Sequence, residues 1–193
     1  MKTTTFAQAP SLYGRNGQRK YLTSQERARF IAAAQHWPRK DVAALCLMLA
    51  YSGCRISEAL AMTPYSLNSD DGTIAIHSLK KRGAFVVREV PVPDDVLARL
   101  SALTQDADDN HLWPFSRGHA WQMVKTVMKQ ANVVGGLQAT PKGLRHGFGV
   151  HAIRSGVPIT LVQRWLGHAS LSTTAIYTQV LGQDEREIAR RMW

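Results

Sequence analysis

The longest apolar run, VAALCLMLAY at residues 42–51, has no polar face at any helical period. A helix that is apolar all round belongs at the centre of a core. Gly53, just beyond it, suits the left-handed position that ends a helix, and Asp41 is placed to cap its start. Upstream, Thr23-Ser24 followed by Gln25-Glu26 marks a helix N-terminus, with Phe30 and Ile31 facing inward and Pro38 closing the segment. Downstream, Ile56, Ala59 and Leu60 give a short inner face before Pro64. The pattern then changes from helical to alternating. Residues 73–77 and 85–90 predict two paired strands, joined by a basic tip of Lys80, Lys81, Arg82 and Gly83 and closed by Pro91 and Pro93. Helical spacing returns at Val96, Leu97 and Leu100, then over 119–131, 141–155, 158–167, 171–178 and 183–192, with Gly135-Gly136 and Ser155-Gly156 as breaks. The predicted fold class is mainly α with a small antiparallel β-sheet. Residues 1–20 are polar and broken by Pro10, Gly14 and Gly17, so they predict a flexible basic arm ahead of one domain over 21–182 and a tail over 183–193.

Composition sharpens this picture. With 193 residues the chain suits one domain, and 45% hydrophobic against 20% charged residues excludes a largely disordered protein. No window holds 18 consecutive apolar residues, which argues against a membrane span. The first residues lack the apolar stretch of a signal peptide. Two cysteines, Cys46 and Cys54, are too few for a disulfide scaffold and suggest a reducing cytoplasm. The 24 Lys and Arg outnumber 14 Asp and Glu, leaving a formal charge of +10. The surplus sits at the ends: nine basic against three acidic groups in residues 1–60, six against eight in 61–120, nine against three in 121–193. Such an asymmetric positive field points to a polyanion, most simply nucleic acid.

Several chemistries lack their residues. There is no phosphate-cradling G-x-x-x-x-G-K-[ST] motif, no C-x-x-C and no H-E-x-x-H, and the glycines at 143, 147 and 149 follow no strand. The acidic pairs Asp70-Asp71, Asp94-Asp95 and Asp108-Asp109 fall at turns or helix starts, where carboxylates act as caps, so neither a metal nor a cofactor is expected. What remains is a set of cations in unusual settings. Arg55 follows the buried helix directly. Lys142 and Arg145, three apart, share a face near the start of another helix, where an anion is welcome. His168 follows Leu166-Gly167, and Tyr177 comes nine residues later. Taken singly, Arg55 reads as a helix-terminus charge, His168 as a C-cap and Tyr177 as a core aromatic. Taken together they can handle a phosphodiester. Arginine forks pair with two phosphate oxygens at once, a lysine can protonate a leaving alkoxide, and a tyrosine hydroxyl can attack phosphorus.

In this order, Tyr51-Ser52-Gly53-Cys54-Arg55-Ile56-Ser57-Glu58-Ala59-Leu60, Gly143-Leu144-Arg145-His146-Gly147-Phe148, and Leu166-Gly167-His168 through Ala175-Ile176-Tyr177 resemble the tyrosine recombinase (phage integrase) family over roughly residues 20–182. The resemblance implies that Arg55 and Arg145 clamp the scissile phosphate, His168 hydrogen-bonds it, Glu58 steadies the site and Tyr177 is the nucleophile. It implies a general-acid lysine on the β-hairpin, at Lys80 or its rival Lys81. Lys142 stands where the family often has histidine, so a donor role is expected of it and a base role is not. His146 is expected to be non-catalytic. The implied function is site-specific recombination of double-stranded DNA through a 3′-phosphotyrosyl intermediate, without ATP or metal. The alternatives are type IB topoisomerase-like relaxation or a catalytically silent DNA-binding protein. The expected setting is the bacterial cytoplasm, nucleoid-associated on DNA, as a dimer to tetramer whose tail helix, with Ile188, Ala189, Met192 and Trp193, docks on a neighbour. Family members typically carry a further N-terminal DNA-clamping domain. This chain reads as either a short catalytic-domain-only form, which the basic first third favours, or a cut-down fragment, with Arg15, Arg19, Lys20, Lys81 and Arg82 supplying DNA contacts.

Overall fold

The computed structural model describes residues 11–78, 86–104, 111–180 and 190. Helix α1 (Ser24–Gln35) starts where the sequence predicts, through a reciprocal cap. Thr23 Oγ1 accepts the Glu26 N–H at 3.2 Å, and Glu26 Oε2 accepts the Thr23 N–H at 2.9 Å. Such a cap is worth about 1 kcal/mol. Helix α2 (Lys40–Ser52) is the central element, buried at every position from Val42 to Ala50. Asp41 does not cap it. Arg39 takes the cap position, and Asp41 lies inside the first turn, where its Oδ1 accepts the Val42 N–H at 2.8 Å while its carboxylate pairs with Arg39.

Gly53 ends α2 with φ of +62°, and the backbone there turns under Phe148 and Leu166. A Cβ at this position would stand 2.4 Å from Phe148 Cδ1 and 2.9 Å from Leu166 Cδ2. Gly53→Ala is therefore expected to lose about 2–4 kcal/mol, from left-handed strain plus overpacking. A urea midpoint equal to that of the parent would disprove this.

After the short helix α3 (Ile56–Ala59) and a 3₁₀ turn at Pro64–Ser66 come the strands β1 (Leu67–Asn68), β2 (Thr73–His77) and β3 (Val87–Pro91), antiparallel in that order. The register sets Ile74 opposite Val90 and Ile76 opposite Arg88, so one face buries three aliphatics and an arginine. The sequence predicts β2 and β3; β1, two residues long, is too short to carry a period. The hairpin tip with Lys80, Lys81 and Arg82 lies outside the described residues.

Helices α4 (Asp94–Leu103), α5 (Arg117–Gln130), α6 (Pro141–Arg154), α7 (Ile159–Leu166) and α8 (Leu171–Ala175) follow, and a 3₁₀ segment at Ile176–Val180 carries Tyr177. The sheet and the helices α1 to α5 share the main core. A second cluster of Leu12, Tyr21, Phe148, Val162, Leu166, Ile176 and Tyr177 lies on α6 and α7.

Residues 11–20 correct the expectation of a flexible arm there. They form a hairpin in which Tyr13 bridges Arg19 and the Lys20 N–H donates to the Leu12 carbonyl at 2.8 Å. Leu12 is wholly buried in the second cluster, and that burial ties the segment down. The chain then runs along α6: the Leu22 N–H donates to the Gly143 carbonyl, and Leu22 lies 3.1 Å from where a Cβ of Gly147 would be. Residues 1–10 and, apart from Arg190, the tail over 183–193 lie outside the described residues.

Candidate active site

Four chain segments meet around Tyr177. The turn after α2 brings Arg55 and, one helical turn on, Glu58. The first half of α6 brings Arg145 and His146. The left-handed Gly167 ends α7 and delivers His168, and the 3₁₀ segment brings Tyr177 itself.

Arg145 is buried, with 7% exposure. Its Nη1 donates to the Gly53 carbonyl at 2.7 Å and its Nη2 to the Leu166 carbonyl at 2.5 Å, both at ends of neighbouring helices. Burial, then the nearby Arg55 charge, push its pKa down to about 10, so it stays protonated at pH 7. Glu58 lies beneath the pair. Its Oε2 accepts from the Arg55 N–H at 2.8 Å and its Oε1 from Arg55 Nη1 at 2.6 Å. Burial opposes its charge, but the Arg88 hydrogen bond and charge, with Arg55, outweigh this and hold its carboxyl below the ordinary range.

Tyr177 is almost wholly buried, at 1% exposure. Its ring lies nearly parallel to that of His168, with centroids 6.2 Å apart and 18° between planes. A Cβ on Gly149 would stand 2.6 Å from the Tyr177 ring, so that glycine makes room for it. The Tyr177 hydroxyl lies 3.1 Å from His146 Nδ1. Burial raises its pKa to about 12 even though Arg145 and Arg55 pull the other way. His168 Nδ1 pairs with Thr174 Oγ1 at 2.9 Å, which leaves Nε2 for another partner. Burial, reinforced by Arg145 and Arg55, lowers His168 to about 4. Burial, reinforced by Lys142, Arg145 and Lys20, does the same for His146. Both imidazoles are therefore neutral at pH 7.

Arg55, Glu58, Arg145, His168 and Tyr177, all named from the sequence, are thus brought together. Lys142 is exposed on the rim, its charge felt by His146. Lys20 has the same reach, with its Nζ donating to the Ser11 carbonyl at 3.2 Å. Arg15 is exposed on the hairpin, whereas Arg19 forms a bidentate ion pair with Glu26. Sequence reasoning sets His146 aside, yet Lys142, Arg145 and His146 follow helical i, i+3, i+4 spacing, the signal that could have placed it on the same face. It also misses Thr174 and Arg88. Among the described residues, no group of three or more potential metal-ligating side chains comes together.

Two buried or half-buried guanidinium groups around a neutral phenol can receive one negatively charged tetrahedral group and present an oxygen nucleophile to it. This is the constellation of an enzyme class that breaks and joins phosphodiesters through tyrosine. The phage integrase family model matches residues 20–184, and the chain belongs to that family. It is 30% identical over 183 residues to the tyrosine recombinase XerA of Pyrococcus furiosus, covering 89% of this chain and 61% of the relative. It is 31% identical over 163 residues to XerD of Mycobacterium tuberculosis, covering 74% and 49%. The chain thus spans about three fifths or less of these curated relatives. A crystal structure of XerA recombinase superimposes with a TM-score of 0.74 at 27% identity, over 89% of this chain and 64% of that one. The catalytic domain of bacteriophage HP1 integrase shares the fold, with a TM-score of 0.66 at 19% identity, over 88% and 93%. Among the described residues no helix is long and apolar enough to cross a membrane.

Proposed function

We propose that this chain is the strand-cleaving unit of a site-specific DNA recombinase. The observation that carries the reading is the Tyr177 hydroxyl held 3.1 Å from a neutral His146, with the buried Arg145 and its neighbour Arg55 close enough to act on it electrostatically. In this reading Arg55 and Arg145 bind the non-bridging oxygens of a scissile phosphate, and His168 donates to one of them through Nε2. Tyr177 Oη attacks phosphorus and its proton passes to His146. The bond from phosphorus to the 5′-oxygen breaks as the 3′-phosphotyrosyl bond forms. Lys80, or Lys81 beside it, gives the leaving oxygen its proton. A 5′-hydroxyl from another strand then attacks the phosphotyrosine and gives its proton to that lysine, while the departing Tyr177 oxygen takes its proton back from His146. The ester energy is retained throughout, so the exchange closes without ATP.

Cation fixation in a dry site stabilises the charge that builds on phosphorus, a contribution of about 3–4 kcal/mol per well-placed donor. Lys142, Lys20, Arg15, Lys81 and Arg82 extend the positive surface along the DNA backbone. Arg19 is left out, because Glu26 neutralises it. The relative XerH has been solved bound to its difH substrate, and by analogy we assign double-stranded DNA as the substrate here. The working form is a dimer to tetramer on DNA in the bacterial cytoplasm, with the tail over 183–193 passed to a neighbour.

The test is trapping. Full-length protein is mixed with sheared DNA of its own genome, duplexes nicked near the cleavage point are made from what is recovered, and products are run under denaturing conditions. A protein–DNA band that survives denaturant, with the DNA mapped to the peptide containing Tyr177, is expected. Absence of any adduct would reject the reading. Relaxation of plasmids that lack a recovered site would assign topoisomerase-like action instead.

A further inference from the structure

Arg88 is not one of the two proposed clamp arginines, yet it is as buried as Arg145. It stands on β3 with its side chain 5% exposed. Its Nη2 donates to Glu58 Oε2 at 2.6 Å, and its Nε donates to the Trp165 carbonyl at 2.7 Å. Its Nη1 is buried and has no hydrogen-bond partner among the described residues. One cation thus spans three elements: the sheet, the carboxylate of α3 that grips Arg55, and the last turn of α7 just ahead of His168.

Gly167 fits this arrangement from the other side. A Cβ there would stand 3.1 Å from the Arg88 Cζ and Nη1 and 3.2 Å from its Nε. The planar group lies against the glycine backbone, which also needs φ of +64° to end α7. The residue before His168 must therefore be small for two separate reasons, and one of them is the seat of Arg88.

The chemistry of the linkage is specific. Glu58 Oε2 is shared between the Arg55 N–H and Arg88 Nη2, while its Oε1 holds Arg55 Nη1. Without Arg88, a buried carboxylate would keep a single cationic partner and would be free to pull Arg55 inward, away from any phosphate. At the same time the Trp165 carbonyl would lose its donor, and the turn carrying His168 would lose its tie to the sheet. A lysine could reach one of these two acceptors but lacks the fork to serve both.

We infer that Arg88 is a positioning residue for phosphate recognition: through Glu58 it sets Arg55, and through the Trp165 carbonyl and Gly167 it sets His168. This rests on the recombinase reading above, and it goes beyond it by assigning the anion site to a guanidinium that never touches the anion.

The test compares wild type, Arg88→Gln and Arg88→Lys, each as the full chain, on the nicked duplex trapped by wild type. One duplex carries an ordinary scissile phosphate. The other carries a methylphosphonate there, whose uncharged centre asks less of the arginine clamp. On the ordinary duplex Arg88→Gln is expected to slow single-turnover adduct formation by about 10²-fold, as displacing one of the donors that Arg88 positions would. DNA affinity should be unchanged and Arg88→Lys should recover only part of the rate. On the methylphosphonate duplex the gap between wild type and Arg88→Gln should shrink to within a few-fold. An equal loss on both duplexes, or no loss on either, would overturn the inference and leave Arg88 a purely structural cation. If wild type forms no adduct at all, the recombinase reading fails separately. The histidine side-chain nitrogen NMR signals of the same proteins then decide: a shifted His168 pair in Arg88→Gln supports the positioning role, and unchanged signals overturn it.

Discussion

Replacing Tyr177 by phenylalanine should abolish the covalent adduct while leaving fold and DNA binding in place. The substitution removes one oxygen from a side chain that is 1% exposed. The ring keeps its parallel packing on His168 and its seat over Gly149. The loss to stability is limited to the His146 contact, about 1 kcal/mol for one hydrogen bond. Removing a hydroxyl whose pKa is about 12 also leaves the charge of the site at neutral pH unchanged, so affinity for a phosphate backbone should not fall. No other group in the cluster can replace the lost oxygen as a nucleophile without the chain moving, because Thr174 is itself fully buried and paired with His168. The measurement is the denaturing gel on the nicked duplex beside a mobility-shift assay at the same salt. A denaturant-resistant band from Tyr177→Phe would remove Tyr177 from the mechanism.

The second large effect is expected at Arg145, and there stability and catalysis should fall together. The guanidinium serves the carbonyls of Gly53 and Leu166 as well as the proposed phosphate. In Arg145→Gln those two buried acceptors lose strong donors, at about 1–3 kcal/mol each. The phosphate loses one arm of its clamp, and cleavage should fall by about 10²–10³-fold. Arg145→Lys keeps a charge but has no fork to span two carbonyls and an anion, so it should recover stability more than rate. Thermal melts and single-turnover cleavage, run on both variants, check this. Wild-type cleavage by Arg145→Gln at a temperature where it remains folded would show that Arg145 is only a structural tie. Arg55, exposed at 29% of its side chain and bonded chiefly to Glu58, should show the opposite balance, with rate affected and stability little changed.

The helical scaffold was legible in the sequence because its signals are local. The all-apolar α2 declares itself a core helix, Thr23 and Glu26 declare a cap, and Gly53 declares the end of α2. The residues that gather around Tyr177 are legible through order and spacing: Arg55 after the buried helix, Arg145 in α6, and the nine-residue step from His168 to Tyr177. What stayed hidden depends on contacts between distant segments. Arg88 shares the inward face of its strand with Val90, and the partners that let a charge sit there, Glu58 and the Trp165 carbonyl, lie thirty residues before it and seventy-seven after it. His146 looked like a bystander because its partner lies thirty-one residues on. The hairpin over residues 11–20 has the composition of a loose arm, and buried Leu12 together with the Arg19–Glu26 ion pair holds it against the domain. Asp41 differs for a local reason: an acid near a helix start predicts a cap, and the structure places it in the first turn.

The glycines of α6 have a further consequence, for the order in which the protein comes together. Three of them, at 143, 147 and 149, fall within fourteen residues, and each costs roughly 1 kcal/mol of helix propensity against alanine. An isolated segment with that composition does not hold a helix in water. In the folded chain Leu22, the Gln138 backbone and the Tyr177 ring lie against the bare backbone that those glycines leave open, and this packing supplies what the segment alone lacks. The helix that bears Arg145 and the segment that bears Tyr177 therefore depend on each other to form. Arg145 and Tyr177 are thus expected to be seated together, not one well before the other.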